Sequence, residues 1–263
     1  MNERCPSPAQ QSFLAKEHLH KIQVRIIRVM VFILFLSVWE LCTELDLLDA
    51  FIFGSPSRIV SCFLRMAGDG SIFLHIGVTL FETLVSFLLV VVIAVLTAIL
   101  LWASRTVSEV AEPYLVMLNS LPKSALAPLL IVWLGNNIRT VIVAAVSVAV
   151  FGSVLTLHTG FAQTDPDKIK LIYSLGGSRK DVLLKVLIPS SIPLIISNMK
   201  VNVGLCLVGV IIGEFLSAKA GLGYLIIYAS QVFKMDMLVM AIVILCIVST
   251  LLYQAISMLE KRL

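Results

Sequence analysis

Residues 83–104 read TLVSFLLVVVIAVLTAILLWAS, and this stretch contains no charged side chain. A helix of about 20 apolar residues crosses the hydrocarbon core of a bilayer, so the segment predicts a transmembrane helix. The whole chain agrees, because 59% of its 263 residues are hydrophobic, 14% are charged and the mean hydropathy is +1.01. Soluble domains carry about 25% charged residues. The composition therefore indicates a polytopic membrane protein, and it excludes a disordered chain, a disulfide-rich secreted module and a protein with a large basic nucleic-acid surface.

Six segments are long and apolar enough to cross a membrane. Besides 83–104 they are 26–41, 112–134, 140–162, 191–213 and 237–259. Lysine and arginine cluster before the first span, between the fourth and fifth spans and at the end of the chain. Because basic residues are retained on the cytoplasmic side, we expect both termini in the cytoplasm and a multi-pass protein of the cytoplasmic (inner) membrane. The first span has no small-residue cleavage site after it, which favours a retained helix over a signal peptide.

The chain shows no pattern of a catalytic or metal-binding protein. Its five cysteines stand singly, without C-x-x-C spacing, so we expect neither a metal site nor a disulfide framework. The segment 176–180, GGSRK, has glycines and a lysine but not the spacing of a phosphate-binding loop. No H-E-x-x-H or G-x-S-x-G motif is present either. We therefore expect a non-catalytic chain.

The most heavily charged loop, residues 163–189, has the pattern of two short helices. Asp165 and Pro166 form a helix start, and Gly176–Gly177 allow a left-handed turn that ends this helix. Ser178 followed by Asp181 forms a variant capping box for a second, amphipathic helix. Local physics leaves two interpretations open: a rigid element offered to a cytoplasmic partner, or an ordinary loop whose lysines hold the topology.

The spacing within this loop matches a known signature. In the membrane-spanning subunits of type I ABC importers the loop carries E-A-A, three residues, G, nine residues and I-x-L-P. Here the frame is Lys170-Leu171-Ile172, then Gly176, then Val186-Leu187-Ile188-Pro189. The chain therefore resembles this family. It departs from the pattern at Lys170, where the family has glutamate, and at Leu171 and Ile172, where the family has alanines.

Two flanking regions resemble one branch of that family, the branch serving nitrate, sulfonate, taurine and related small solutes. Residues 120–135 contain SLPK, AP and WLG in the third span, and residues 213–225 contain GEFL and GLGYL between the last two spans. The resemblance covers roughly residues 71–263. We accordingly expect a cytoplasmic tail (1–25), a first helix with an extracytoplasmic segment (26–70) and a type I importer transmembrane domain (71–263).

The resemblance implies an all-α fold of about six transmembrane helices and a role as the permease subunit of an ATP-driven importer. The loop, called the coupling helix, would dock on a cytoplasmic ATPase subunit that binds ATP and Mg²⁺, while the chain itself would hold no cofactor. An extracytoplasmic binding protein would deliver the solute, and a second permease copy would complete the pathway. The implied ATPase contacts are Lys170, Leu171, Ile172, Gly176, Gly177, Ser178, Val186, Ile188 and Pro189.

Five residues within or at the ends of the spans are candidates for the translocation pathway: Pro122, Lys123, Pro128, Lys200 and Glu214. A charge near the bilayer centre costs about 2.5–3.5 kcal/mol on insertion scales, so it usually faces a partner, a cavity or the protein interior. Lys123, between two prolines, would either line a broken helix or bond freed carbonyl groups or an acidic neighbour at the subunit interface. Lys200 would line the pathway or reach towards the cytoplasmic headgroups. Glu214 would be a gate residue, a partner-contact residue or a solvated helix end.

Two other classes of protein remain open at this stage. An ion-gradient-driven secondary transporter would need intramembrane carboxylates for coupling, and Glu82 is the one candidate near the start of a span. A membrane scaffold that recruits a partner through the same loop would leave Pro122, Lys123 and Pro128 without a purpose. None of these motifs identifies the solute. The two basic intramembrane residues, Lys123 and Lys200, slightly favour an anionic solute.

Overall fold

The structure is a computed structural model, and it describes residues 8–260. These residues contain helices and connecting turns and no strand. In chain order the helices are α1 (Pro8–Glu44), α2 (Ala50–Phe53), α3 (Pro56–Gly68), α4 (Ser71–Ala103), α5 (Arg105–Ser120), α6 (Lys123–Leu134), α7 (Ile138–Ala162), α8 (Pro166–Ser174), α9 (Arg179–Val182), a π-helical turn (Leu183–Leu187), α10 (Ile188–Ser217), α11 (Leu222–Gln231) and α12 (Met235–Glu260).

Five of these helical segments are long and apolar enough to cross a membrane, and the bent pair α5–α6 makes a sixth. The prediction of an all-α protein with about six transmembrane helices is therefore confirmed. The prediction that residues 112–134 form one span is wrong in its details, because α5 and α6 meet at an angle of 95°. Proline disfavours helical geometry in the residue before it, and Leu121 is accordingly extended, with ψ of 139°.

The second loop helix and the fifth span are continuous. Residues 179–217 form one continuous helical rod of 39 residues that includes α9, the π-helical turn and α10. Pro189 falls just after the π-helical turn. A proline ring clashes with the carbonyl four residues earlier in a regular helix, and the wider turn relieves that clash.

The centre of the molecule is the packing of α4, α7 and α10. Small buried residues, including Ala94, Ala145 and Ala149, line the contact between these helices. A Cβ atom on Gly209 would lie 2.6 Å from the Cα of Ala145, so the two backbones are in direct contact there. Close approach at small residues is how helices associate in a bilayer, where no hydrophobic force drives them together.

The first helix lies outside this core. In an apolar stretch of 18 residues in α1, only 6% of the residues are buried, whereas 50% are buried in the corresponding stretch of α7. Its side chains at Phe32, Leu34 and Phe35 are more than half exposed. Such a face is compatible with lipid, which solvates apolar side chains, and not with water.

Candidate functional site

Helix α8 starts as its sequence predicts. The side chain of Asp165 accepts a hydrogen bond of 2.9 Å from the main-chain N–H of Asp167, and Pro166 occupies the first turn, where its missing N–H costs nothing. The helix ends at Ser174, and Gly176 follows with φ of +79°, in the left-handed region. This backbone conformation favours glycine because it has no Cβ atom.

Gly177 is required for a different reason, the closeness of the chain to itself. Its N–H donates to the main-chain carbonyl of Ile172 over 2.9 Å. A Cβ atom at this position would lie 2.5 Å from the Cγ2 of Ile172 and 2.8 Å from its carbonyl oxygen. The two glycines therefore fold the end of α8 tightly back before the long rod begins.

The start of the rod is fixed by two sets of polar contacts. Ser178 and Asp181 form the predicted capping box, in which each side chain bonds to the main chain of the other residue. Arg179 then donates to the main-chain carbonyl of Trp102 over 3.1 Å, and its guanidinium lies 5.3 Å from the centre of the Trp102 ring. These contacts attach the start of the rod to the end of α4. We call the segment from Asp165 to Asp181, which contains α8, the glycine turn and this capped start, the elbow.

The elbow presents apolar side chains outward, although it lies beyond the apolar spans. Leu171 is 58% exposed, Tyr173 48% and Leu175 76%. Leu171 and Leu175 are four positions apart and share one face, and an exposed apolar patch marks an interaction surface. Lys170 lies on the same element, exposed, with an ion pair of 3.2 Å to Asp167.

The residues implied as ATPase contacts fall into two places. Residues 170–178 lie together on α8 and in the turn that follows it. Val186, Ile188 and Pro189 lie further along the rod, where Val186 and Ile188 are half-buried and Pro189 is exposed. The structure thus groups the first set in the elbow and separates it from the second.

Two of the three pathway candidates in the bent pair lie at the bend itself. Pro122 precedes α6, and Lys123 begins it, with its ammonium donating to the main-chain carbonyl of Asn119 near the end of α5. That carbonyl lacks a helical partner because the helix stops there. Pro128 lies inside α6 and is exposed.

Lys200 lies in α10 and forms an ion pair with Glu260 near the end of α12. The lysine side chain is 18% exposed and the glutamate side chain is 42% exposed, and the contact joins the two helices. Pairing with a partner is the usual solution for a charge in a transmembrane helix.

Glu214 is not a solvated helix end, and that expectation is wrong. The residue is fully buried (0% exposed), and Oε1 accepts a hydrogen bond of 2.7 Å from the hydroxyl of Thr79. Its other carboxylate oxygen accepts from the main-chain N–H of Gly223. The hydroxyl of Thr79 in turn accepts from the N–H of Leu222 over 2.8 Å. Glu214 therefore connects α4, α10 and the start of α11.

Glu82 belongs to the same buried polar site as Glu214, whereas the sequence suggested it only as a coupling carboxylate of a secondary transporter. It is 2% exposed, and its carboxyl group lies next to that of Glu214. A cavity of about 330 Å³ next to it is lined by Asn136, Asn137, Ser217 and Lys219, among others. Its position in an apolar segment was a visible signal, but its partner is 132 positions away in the chain and no local pattern indicates the pair.

A second buried polar cluster joins α7 to α10. Ser153 donates to the amide oxygen of Asn198, and the amide nitrogen of Asn202 donates to Ser153 over 2.8 Å. Asn202 also donates to Asn198 one turn away. Side chains of this kind satisfy each other across helices where lipid offers no hydrogen-bond partner.

No three histidine, cysteine, aspartate or glutamate side chains among residues 8–260 are placed to hold a metal ion. The fold and its polar sites together define a multi-pass membrane protein that offers a rigid elbow on one side and holds buried polar links between its central helices.

Comparison with known proteins agrees with this class. The family model described as binding-protein-dependent transport system inner membrane component matches residues 90–263. A probable ABC transporter permease of Haemophilus influenzae is 29% identical over 242 residues, which cover 92% of this chain and 98% of that protein. The taurine transport system permease of Escherichia coli is 24% identical, covering 87% and 85% respectively.

A solved structure has the same fold. An inward-facing conformation of the MetNI methionine ABC transporter superposes with a TM-score of 0.65 at 16% identity, covering 73% of this chain and 96% of that one. The chain belongs to the family of inner membrane components of binding-protein-dependent transport systems. It is a permease subunit of the ABC importer type.

Proposed function

We propose that two copies of this chain together form the translocation pathway of an ATP-driven importer. The solute is small, of the nitrate, sulfonate, taurine or related organic class, and a binding protein delivers it from outside. ATP and Mg²⁺ are bound and hydrolysed by a separate cytoplasmic ATPase subunit, and this chain takes no part in that chemistry. Both of its termini lie in the cytoplasm.

The observation that carries the proposal is the elbow. It consists of a short helix with Leu171, Tyr173 and Leu175 exposed on it and after it, followed by a tight turn and Arg179, which bonds to α4. A surface of this kind has the chemistry of a docking site for a protein partner, since apolar side chains exposed to water stabilise nothing unless they are covered.

The continuous rod extends far from the elbow. At about 1.5 Å per residue, the 39 residues from Arg179 to Ser217 extend about 58 Å. The rod therefore joins the docking surface to Glu214 at its far end. ATP can shift the permease between two states only if it favours one of them, and a rigid helix docked on the ATPase conveys that difference to the membrane.

Pro122, Lys123, Pro128, Lys200 and Glu214 remain our candidates for the pathway. The bend supports this for the first three, because broken helices in transporters place main-chain groups and side chains at the solute's depth. The inter-helix contacts of Lys200 and Glu214 support a role in holding the arrangement of α4, α10 and α12.

A charge placed on the elbow tests the docking proposal. We expect Leu171→Glu to abolish co-purification of the ATPase subunit in mild detergent, because the carboxylate would have to be desolvated in the interface. The matched control is Thr106→Glu, which adds the same charge at an exposed position of α5. Retention of the ATPase by Leu171→Glu, together with normal ATP-dependent uptake, would reject the docking role of α8.

A further inference from the structure

The carboxyl groups of Glu82 and Glu214 are buried side by side, and at least one of them must carry a proton. Glu214 uses both carboxylate oxygens as acceptors, from Thr79 and from Gly223. Oε2 of Glu82 is buried and has no donor among the described residues. Two ionised carboxylates accept hydrogen bonds and cannot donate one. Their contact in a buried site therefore requires a proton on one of them, since a pair of adjacent anions would otherwise be taken out of water without compensation.

The geometry points to a binding site for one exchangeable proton, carried by the Glu82 carboxyl group and donated to the Glu214 carboxylate. Glu82 is the donor because the hydrogen bonds from Thr79 and Gly223 stabilise the ionised form of Glu214, whereas Oε2 of Glu82 has no donor among the described residues. The cavity of about 330 Å³ that Glu82 lines gives the proton a route to water. On release the proton passes to water in this cavity, and both carboxyl groups are left as anions.

This proton holds three parts of the fold together. Glu82 is in α4, Glu214 is near the end of α10, and Gly223 is in α11. The enclosure around Glu214 is tight: a Cβ atom on Gly223 would lie 2.8 Å from its Oε2, and one on Gly221 would collide with the carboxylate. Loss of the proton places two repelling anions within this enclosure, so the ends of α4 and α10 separate.

Other titratable groups surround the pair. The ring of His75 lies 3.1 Å from the main-chain nitrogen of Gly221, which donates to it, and Tyr224 stacks on that ring. Lys219 lines the cavity from the turn after α10. A positive charge on Lys219 favours release of the proton, because it stabilises the two carboxylates that remain.

Thermal unfolding of the purified full chain in detergent tests the site without any transport assay. The folded state holds this proton more tightly than the unfolded state does, so stability is present at low pH and is lost as the pH rises. We expect the unfolding midpoint of the native chain to fall by about 5 °C or more between about pH 6 and pH 10. Glu82→Gln replaces the carboxyl O–H with an amide N–H donor, and its midpoint is expected to lose that dependence.

Glu112→Gln is the matched control, since Glu112 is exposed on α5. Its midpoint should follow the native chain. A native chain and a Glu82→Gln variant with the same pH profile would overturn the proposal. So would stabilisation of the native chain, but not of Glu82→Gln, by sodium over choline at constant pH, because a metal ion would then occupy the site.

Infrared spectroscopy gives a second test that does not depend on the variant's stability. The native chain should show the carbonyl stretch of a protonated carboxyl group in the neutral pH range, and the band should vanish as the pH is raised. Its absence throughout would refute the proton. Both tests leave the importer proposal untouched, because neither uses the ATPase subunit or the solute.

Discussion

Gly176 and Gly177 stand side by side in the elbow and serve different purposes. The first provides a left-handed backbone, and the second provides space beside Ile172. Alanine is therefore unfavourable at both positions, by strain at 176 and by collision at 177.

Substitution of these glycines should disrupt the coupling between the ATPase subunit and the membrane helices, while the protein still inserts into the membrane. We expect Gly176→Leu and Gly177→Ala to abolish uptake while membrane levels stay near those of the native chain, because the apolar spans that drive insertion are unchanged. Gly77→Ala is the control, since nothing lies within 4 Å of a Cβ atom there. Normal uptake by the Gly176→Leu variant would contradict the coupling role.

The Ser153–Asn198–Asn202 cluster allows a prediction about stability at the same scale. Asn202→Ala removes both donors that reach Ser153 and Asn198. Hydrogen bonds between transmembrane helices contribute about 0.6–1.7 kcal/mol, and we expect a loss of about this size in unfolding experiments in detergent. Val201→Ala, on the exposed side of the same helix, should have little effect. Equal losses in both variants would mean that the cluster has no special energetic role.

At the scale of elements, the bend between α5 and α6 is where local sequence and tertiary packing contribute together. Pro122 forces Leu121 out of helical geometry, but Pro113 lies inside α5 without breaking it. A proline within a helix therefore does not by itself decide where a span bends.

Spin labels at Tyr114 and Val132, both exposed, report on the bend. We expect Pro122→Ala to lengthen the distance between the labels, because the residue before it regains access to helical geometry. Pro113→Ala should leave the distance unchanged. If Pro122→Ala also leaves it unchanged, packing against α7 maintains the bend and the proline is not its cause.

At the scale of the whole molecule, the proposed orientation is open to direct measurement. Starting from a variant without cysteines, a single cysteine at Ser174 should react with an impermeant thiol reagent only from the cytoplasmic side. A single cysteine at Lys219 should react only from outside. The native Cys62 must be replaced although burial raises the pKa of its thiol and slows its reaction. The opposite pattern would invert the topology and remove the elbow from the side where ATP is available.

Much of this architecture could be predicted from the sequence, because its signals are local. The spans follow from length and apolarity, and the start of α8 follows from Asp165 and Pro166. The left-handed turn at Gly176 and the capping box of Ser178 are equally local. Each feature depends on residues within a few positions of one another, where propensity and spacing carry the information.

The amino-acid sequence alone determined that this chain is a helical membrane protein with a capped helical loop between two spans. Only the tertiary structure decided that α5 and α6 meet at 95°, that residues 179–217 are one rod and that Glu82 meets Glu214. These features depend on contacts between residues that are far apart in the chain. A carboxyl group in an apolar segment shows that a partner is needed, and the packing of α4 on α10 decides which residue it is.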